Sequence, residues 1–198
     1  MNVLETVNQS AFLALNAQPG TSESLLALAR FCASGMIFIV PAILLGLWFL
    51  GGRQGHRQAL FCTLNILMAL ALGYLCGSLW FHPRPFMMPL GHTWISHPAD
   101  NGFPSDHGLV MFSAAFALLS LRLRSLGLFV LLASLPVAWS RIFLGVHFPL
   151  DMAGAAAVAA VAVWVSKGVW QAFGPAMVRI CEAISQRMFS WLPARFTP

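Results

Sequence analysis

Charge is what this chain has least of. Only 9% of its 198 residues are Asp, Glu, Lys or Arg, and 59% are hydrophobic, whereas about a quarter of an ordinary soluble domain is charged. That shortage excludes a water-soluble globular domain. Lysine is almost missing, with Lys167 the one example. The four cysteines, Cys32, Cys62, Cys76 and Cys181, sit in apolar or amphipathic stretches without paired spacing, which excludes a disulfide framework and leaves core packing as their use. No internal repeat, low-complexity tract or linker interrupts the sequence, so a single domain over 1–198 is expected. The first residues carry Glu5, no basic residue and no apolar run of the kind a cleavable signal peptide needs, so the start reads as mature sequence.

What the chain has instead is long apolar runs, over 25–50, 59–81, 108–121, 126–144 and 150–170. Most are near the ~20 residues that cross ~30 Å of hydrocarbon. They predict an all-α integral membrane protein with about five transmembrane helices occupying 21–172. The third run is the shortest. It spans only if its first turn, at 105–107, begins at the interface, or if the bilayer thins to meet it. Before this bundle, residues 1–20 repeat apolar side chains at Val3, Leu4, Val7, Ala11, Phe12 and Leu15, the pattern of a short interfacial helix ended by Pro19-Gly20. After it, 173–198 places Met177, Ile180, Cys181, Ile184, Met188 and Trp191 on one face and Arg179, Glu182 and Arg187 on others, predicting an amphipathic interfacial tail rather than a sixth span.

In a five-span arrangement Arg53, Arg57, Arg122, Arg124, Lys167, Arg179, Arg187 and Arg195 fall on one side, and only Arg30, Arg84 and Arg141 do not. The positive-inside rule makes the first group cytoplasmic. Anionic lipids of that leaflet account for the net charge of +5 without any nucleic-acid partner. Arg84 and Arg141 then face outward, where either an anionic ligand or a buried structural ion pair explains them.

The ends of the runs on that outer side carry the titratable residues: His82-Pro83-Arg84-Pro85-Phe86 after the second, Pro104-Ser105-Asp106-His107 before the third, and Ser140-Arg141 through His147 to Asp151 between the fourth and fifth. All three groups belong at one membrane level, so they predict one pocket, and the residue types suit phosphate. Arg84 and Arg141 supply planar forks for phosphate oxygens. Ser105 adds a hydroxyl at a helix N-terminus, where an anion is favoured; taken singly, it reads better as an N-cap and the arginines as interfacial anchors, a view that weakens when the three are taken together. Pro149 suits a first helical turn and keeps Phe148 out of the helix, putting His147 just before the fifth span and Asp151 in its first turn. There Asp151 would hold one imidazole nitrogen and leave the other free as a nucleophile, with His107 free to act as acid and base.

These residues resemble the three-part signature of the type 2 phosphatidic acid phosphatase superfamily, Lys-x6-Arg-Pro, Pro-Ser-Gly-His and Ser-Arg-x5-His-x3-Asp, over about residues 77–151. The third part is complete; the second has Asp106 for glycine; the first keeps Arg84-Pro85 but has Gly77 for lysine. The resemblance implies that His147 forms a phosphohistidine, Asp151 orients it, His107 is acid and base, and Arg84, Ser105 and Arg141 hold the phosphate, with no metal or other cofactor. Asp106 and His82 are secondary candidates. The segments at 82–86, 91–94 and 103–107 look like the bacterial undecaprenyl-diphosphate phosphatases of this superfamily. That implies a multi-pass protein of the bacterial cytoplasmic membrane, working on a polyprenyl phosphate from the outer face, with membrane lipids as its other partners.

His82, His92, His97 and Asp100 lie in the outward loop and are further candidates for the distal phosphate. Trp80 and Trp94 read as interfacial belt residues, and Gly154-Ala155-Ala156-Ala157 with Ala159-Ala160 as a close-packing surface. The alternatives to weigh are a phosphatase or phosphotransferase acting on another lipid phosphate (phosphatidylglycerol phosphate, phosphatidic acid, lipid A) and a non-catalytic anion-binding membrane protein. A zinc-dependent variant fits less well: two histidines and an aspartate can bind zinc, but their spacing matches no zinc pattern and two arginines oppose a cation.

Overall fold

The computed structural model describes residues 3–188; residues 189–198 of the expected C-terminal tail, Trp191 and Arg195 among them, lie outside the described residues. Among the described residues the chain forms seven α-helices and no strand: α1 (Val3–Leu15), α2 (Glu23–Ser34), α3 (Ile39–Leu50), α4 (Gly52–Leu79), α5 (Asp106–Ser120), α6 (Arg124–Phe143) and α7 (Pro149–Met188). α2 and α3 form one apolar rod joined by a 3₁₀ turn at Met36–Phe38. The turn has a local cause: Pro41 has no N–H and its ring crowds the carbonyl one turn back, so the backbone tightens ahead of it.

Four stretches are long and apolar enough to cross a membrane: Glu23–Leu50, Gly52–Leu79, Arg124–Phe143 and Pro149–Met188. Large apolar side chains such as Phe31, Leu45, Tyr74, Leu132 and Trp164 are exposed on them, a surface that suits lipid rather than water. α5, matching the third apolar run, has 15 residues and is therefore only about 22 Å long. It packs against α4, α6 and α7, and Leu109, Met111, Ala115 and Ala117 have no exposed surface. Its environment is protein more than lipid, so its length need not match the bilayer.

α7 contacts α4 and α5 through Ala155, Ala159 and Ala162, which are fully buried with Ala69, Leu109 and Phe112. Gly154 takes the edge of Phe103, whose ring fills the space a Cβ would need. The small-residue surface is thus real at 154, 155 and 159, while Ala157 and Ala160 face outward.

One boundary differs from expectation. The sequence sets a separate amphipathic tail apart from 173, whereas α7 runs as one helix of 40 residues through Pro175, about 60 Å of helix and roughly twice a hydrocarbon core. Its far end is tied down by tertiary contacts that no local pattern reveals. His56 Nδ1 lies 2.9 Å from Glu182 Oε1, Trp48 stacks on His56 at 4.4 Å and donates from Nε1 to Ser185 Oγ at 3.3 Å.

Candidate active site

The site is assembled at the opposite end of the bundle, where α6 hands the chain to α7. α6 stops in a Schellman-type cap: Gly145 N–H donates to Ile142 O and Val146 N–H to Arg141 O. Gly145 has φ +82°, and a Cβ there would collide with the His92 carbonyl, so glycine is required. This cap fixes the backbone of Arg141 and aims the short connector, with His147, back toward the bundle.

Asp151 then does two jobs. Pro149 is the first residue of α7, as its fixed φ and missing N–H favour. Oδ2 of Asp151 accepts from Phe148 N–H at 2.8 Å, the reciprocal half of a capping box, and lies 3.2 Å from His147 Nδ1. The carboxylate is fully buried, and such a charge persists only where it is paired. Held on Nδ1, the imidazole turns Nε2 away from Asp151.

Nη1 of Arg84 lies against the ring, 2.9 Å from Nε2 and 3.4 Å from Nδ1. Arg84 is itself almost fully engaged: Nε donates to Asp100 Oδ1 at 2.7 Å, Nη1 to Val146 O at 3.0 Å and Nη2 to Asn101 O at 3.1 Å. Arg141 is the opposite case. It is only 4% exposed, yet its buried Nε has no partner and its side chain has no hydrogen bond or ion pair among the described residues. A buried guanidinium without an acceptor is costly, and an incoming anion would relieve that cost. Burial pushes the His147 ring down to about 4; Arg84 and Arg141 act in the same sense, while the hydrogen bond and charge of Asp151 oppose. The ring is therefore neutral at neutral pH.

His107, in the first turn of α5, is partly buried and has no hydrogen-bond partner among the described residues. Arg141, His147, His97 and Arg84 all lie close enough to act on it electrostatically, which places it beside the same space. Ser105 caps α5, its Oγ accepting from Gly108 N–H at 3.4 Å, and its own N–H donates to Asp151 O at 3.3 Å. The cap role is thus observed, and the hydroxyl proton stays available to a ligand. Asp106 is exposed and lines a lateral groove of about 340 Å³ with Tyr74, Gly77 and Asn101.

Sequence reasoning missed Asn101, which organises the loop between α4 and α5. Its Nδ2 donates to Gly77 O at 2.7 Å and Trp80 O at 3.0 Å, and its Oδ1 accepts from His82 N–H at 2.9 Å and Phe103 N–H at 3.1 Å. A Cβ on Gly77 would stand 3.1 Å from both Asn101 Nδ2 and Phe103 O. The position expected to hold lysine is therefore closed by an asparagine, a substitution pairing visible only once the loop is folded.

Of the loop histidines, His97 joins the cluster, its ring edge-to-face with His147 at 6.1 Å. Burial and the charges of Arg84 and Arg141 hold its pKa below the ordinary histidine value, against its bond to Pro98 O and the charge of Asp100. His82 reaches Asp151 Oδ1 at 2.9 Å. His92 does not enter: its side chain is exposed, and only its backbone is used, by Asn16. Trp80 packs on His82 and Phe103, and Trp94 donates to Ala17 O at 2.9 Å, so both indoles also have structural partners. Among the described residues no three His, Cys, Asp or Glu side chains form a set able to hold a metal ion.

A model of the PAP2 superfamily matches residues 58–175. The chain is 33% identical to YbjG of Escherichia coli (strain K12), a candidate undecaprenyl-diphosphatase, over 96% of this chain and 92% of that protein. It is 30% identical to undecaprenyl-diphosphatase BcrC of Bacillus subtilis (strain 168), covering 92% of this chain and 95% of that one. Among solved structures it resembles Aquifex aeolicus LpxE, with a TM-score of 0.62 at 21% identity, over 82% of this chain and 95% of that one. It also resembles the transmembrane PAP2-type phosphatidylglycerolphosphate phosphatase of Bacillus subtilis, with a TM-score of 0.55 at 19% identity over 86% and 88%. At these identities the two structures speak for the fold.

Proposed function

The chain belongs to the PAP2 superfamily and is a multi-pass membrane phosphatase, and from that premise we propose that it hydrolyses undecaprenyl diphosphate to undecaprenyl phosphate through a phosphohistidine on His147. The observation that carries the reading is the pairing of a neutral imidazole, held by Asp151, with a buried Arg141 whose Nε has no partner among the described residues. One group is prepared to attack phosphorus and the other to bind its oxygens.

In the proposed reaction the terminal phosphate enters between Arg141 and Arg84, and Nη1 of Arg84 turns from His147 Nε2 to a phosphate oxygen. The freed lone pair attacks the terminal phosphorus. The bond to the bridging oxygen breaks, and its electron pair leaves with undecaprenyl phosphate, which takes a proton from His107, present as an imidazolium once the anionic headgroup lies beside it. Water then attacks the phosphohistidine, giving its proton to His107; the P–N bond breaks, and inorganic phosphate and neutral His147 are released. Asp151 meets the positive charge that develops on the ring, as an orienting carboxylate does beside a catalytic histidine.

The same reading puts the site on the outer face of the cytoplasmic membrane. Arg53 and Arg57 near the start of α4, and Arg122 and Arg124 at the α5–α6 turn, lie at the end away from His147, which supports a cytoplasmic assignment for that end. The exceptions to the charge bias have other uses: Arg30 pairs with Glu23, while Arg84 and Arg141 are in the site. Phosphate release by the purified protein, on a panel of undecaprenyl diphosphate, phosphatidylglycerol phosphate, phosphatidic acid and lipid A, tests the substrate. Undecaprenyl diphosphate should be turned over fastest, and His147→Ala should abolish release. Equal turnover in that variant removes the nucleophile, and preference for another lipid removes the substrate assignment.

A further inference from the structure

His147 has one orienting carboxylate, but that carboxylate has a second partner. Oδ1 of Asp151, the oxygen not used by His147, lies 2.9 Å from His82 Nδ1. The other ring nitrogen, Nε2, lies 3.4 Å from Glu5 Oε2. A carboxylate accepts hydrogen bonds and does not donate them, and a neutral imidazole carries only one N–H. Both contacts are satisfied together when the ring carries both protons, as an imidazolium.

The surroundings favour that state. Burial works against the charged ring, but the hydrogen bond and charge of Asp151, followed by those of Glu5, outweigh it and raise the pKa of His82 above the ordinary histidine value. The groups facing the ring are Asp151 from α7 and Glu5 from α1, with Trp80 and Phe148 against it at 5.2 and 5.3 Å. His147 acts on it through the shared Asp151.

Glu5 is placed rather than incidental. Gln9 donates to its Oε1 at 2.9 Å and Asn8 to its Oε2 at 3.5 Å. α1 is itself locked onto the site: Asn8 Oδ1 accepts from Leu150 N–H at the start of α7 at 3.0 Å, and the fully buried Phe12 packs on Phe148 at 5.2 Å. Glu5 and His82 share the wall of a cavity of about 410 Å³ otherwise bounded mainly by Leu4, Trp80, Phe81, Met88 and Leu150. The Glu5 side chain is 25% exposed, so this end can exchange protons with the outside. α1 lies before the segment, 58–175, that matches the family.

We infer that His82 is a positioning residue of the reaction: as an imidazolium clamped between Glu5 of α1 and Asp151 of α7, it fixes the carboxylate that orients His147. The inference rests on the phosphatase reading above. Deprotonation of His82 at high pH loosens Asp151, so turnover falls on the alkaline side, and Glu5 sets where that fall begins.

The test is the pH profile of kcat and KM for phosphate release from undecaprenyl diphosphate in detergent, for the full chain and for Glu5→Gln, His82→Asn and His82→Ala. Glu5→Gln removes one carboxylate from a partly exposed position, so the alkaline limb of kcat should move to lower pH by about one unit, with KM unchanged. His82→Ala should lower kcat on the order of 10- to 100-fold, the scale seen when a group orienting a primary ligand is lost. His82→Asn keeps an N–H near the Nδ1 position and should recover part of that loss while lacking the His82 limb. Glu5→Gln sits on the partly exposed side of the pair and carries the test if His82→Ala fails to fold. Profiles of Glu5→Gln and His82→Asn that superimpose on the unmodified protein, or changes confined to KM, overturn the inference. No phosphate release by the unmodified protein from any lipid phosphate overturns the phosphatase reading instead.

Discussion

Nη1 of Arg84 sits 2.9 Å from Nε2 of His147 and 3.4 Å from Nδ1, against the imidazole that Asp151 orients. An arginine therefore lies against the ring that the proposed reaction uses as nucleophile. Lysine is not an equivalent here, because Arg84 spans Asp100, Val146 and Asn101 with separate N–H groups and a single ammonium lacks that fork. Arg84→Lys should cost about 100-fold or more in kcat/KM, about 2.7 kcal/mol of transition-state stabilisation. Steady-state phosphate release measures it. A variant within a few fold of the unmodified protein would mean that Arg84 is a structural strut only.

The neutral state of His147 sets the acid limit of activity. Its pKa is pushed down to about 4, and the nucleophile fails when protonated. As pH falls, the active form is thus kept through the ordinary histidine range near 6.5 and lost only on approach to the lowered value. The acid limb attributable to His147 should lie well below pH 6. Asp151→Asn removes the charge that favours the protonated ring, moving that limb further down while reducing the rate at every pH. A pH series on both proteins, with stability checked in parallel, separates the two effects.

Gly77 and Asn101 make a prediction against intuition. Restoring the family lysine at 77 should not improve the enzyme, since the new Cβ would press 3.1 Å from Asn101 Nδ2 and Phe103 O, tighter than ordinary contact. Asn101 joins the end of α4 to the backbone of His82 and Phe103, so displacing it disturbs both sides of the site. Gly77→Lys and Asn101→Ala are both expected to lose activity, the latter with about 2–3 kcal/mol of destabilisation from its several lost hydrogen bonds. Activity above the unmodified level in Gly77→Lys would show that the lysine position had remained open.

Signals confined to a few consecutive residues were legible before folding. Pro149 announces the start of α7, and with it the places of His147 and Asp151, because proline constrains its own φ and its predecessor within the same short stretch. The apolar runs announce the helices for a similar reason. Glu5 and Asn101 gave no such sign. Glu5 lies 77 residues from His82 and Asn101 lies 24 from Gly77; an isolated polar residue in a loop or on an amphipathic helix reads as solvated until its partner is known. The continuity of α7 past Pro175 was hidden likewise, since Arg179, Glu182 and Arg187 look like interfacial charges unless one sees His56 waiting for Glu182.

That last pair separates stability from chemistry. Glu182 is 13% exposed and His56 5% exposed, with Arg53 a further 3.8 Å partner of the carboxylate, and the cluster stands about 31 residues of helix, or roughly 45 Å, from Asp151. Glu182→Ala leaves His56 buried against Trp48 without its acceptor and frees the far end of α7. Losing one member of a largely buried polar pair costs about 2 kcal/mol or more. The variant should therefore denature at a lower temperature in detergent while the kcat of the folded fraction stays unchanged. Because Ala155 and Ala159 hold α7 to α4 and α5 close to the site, loosening beyond Pro175 need not reach His147. A fall in kcat at temperatures where the variant is fully folded would show instead that α7 transmits its far end to the catalytic one as a single rod.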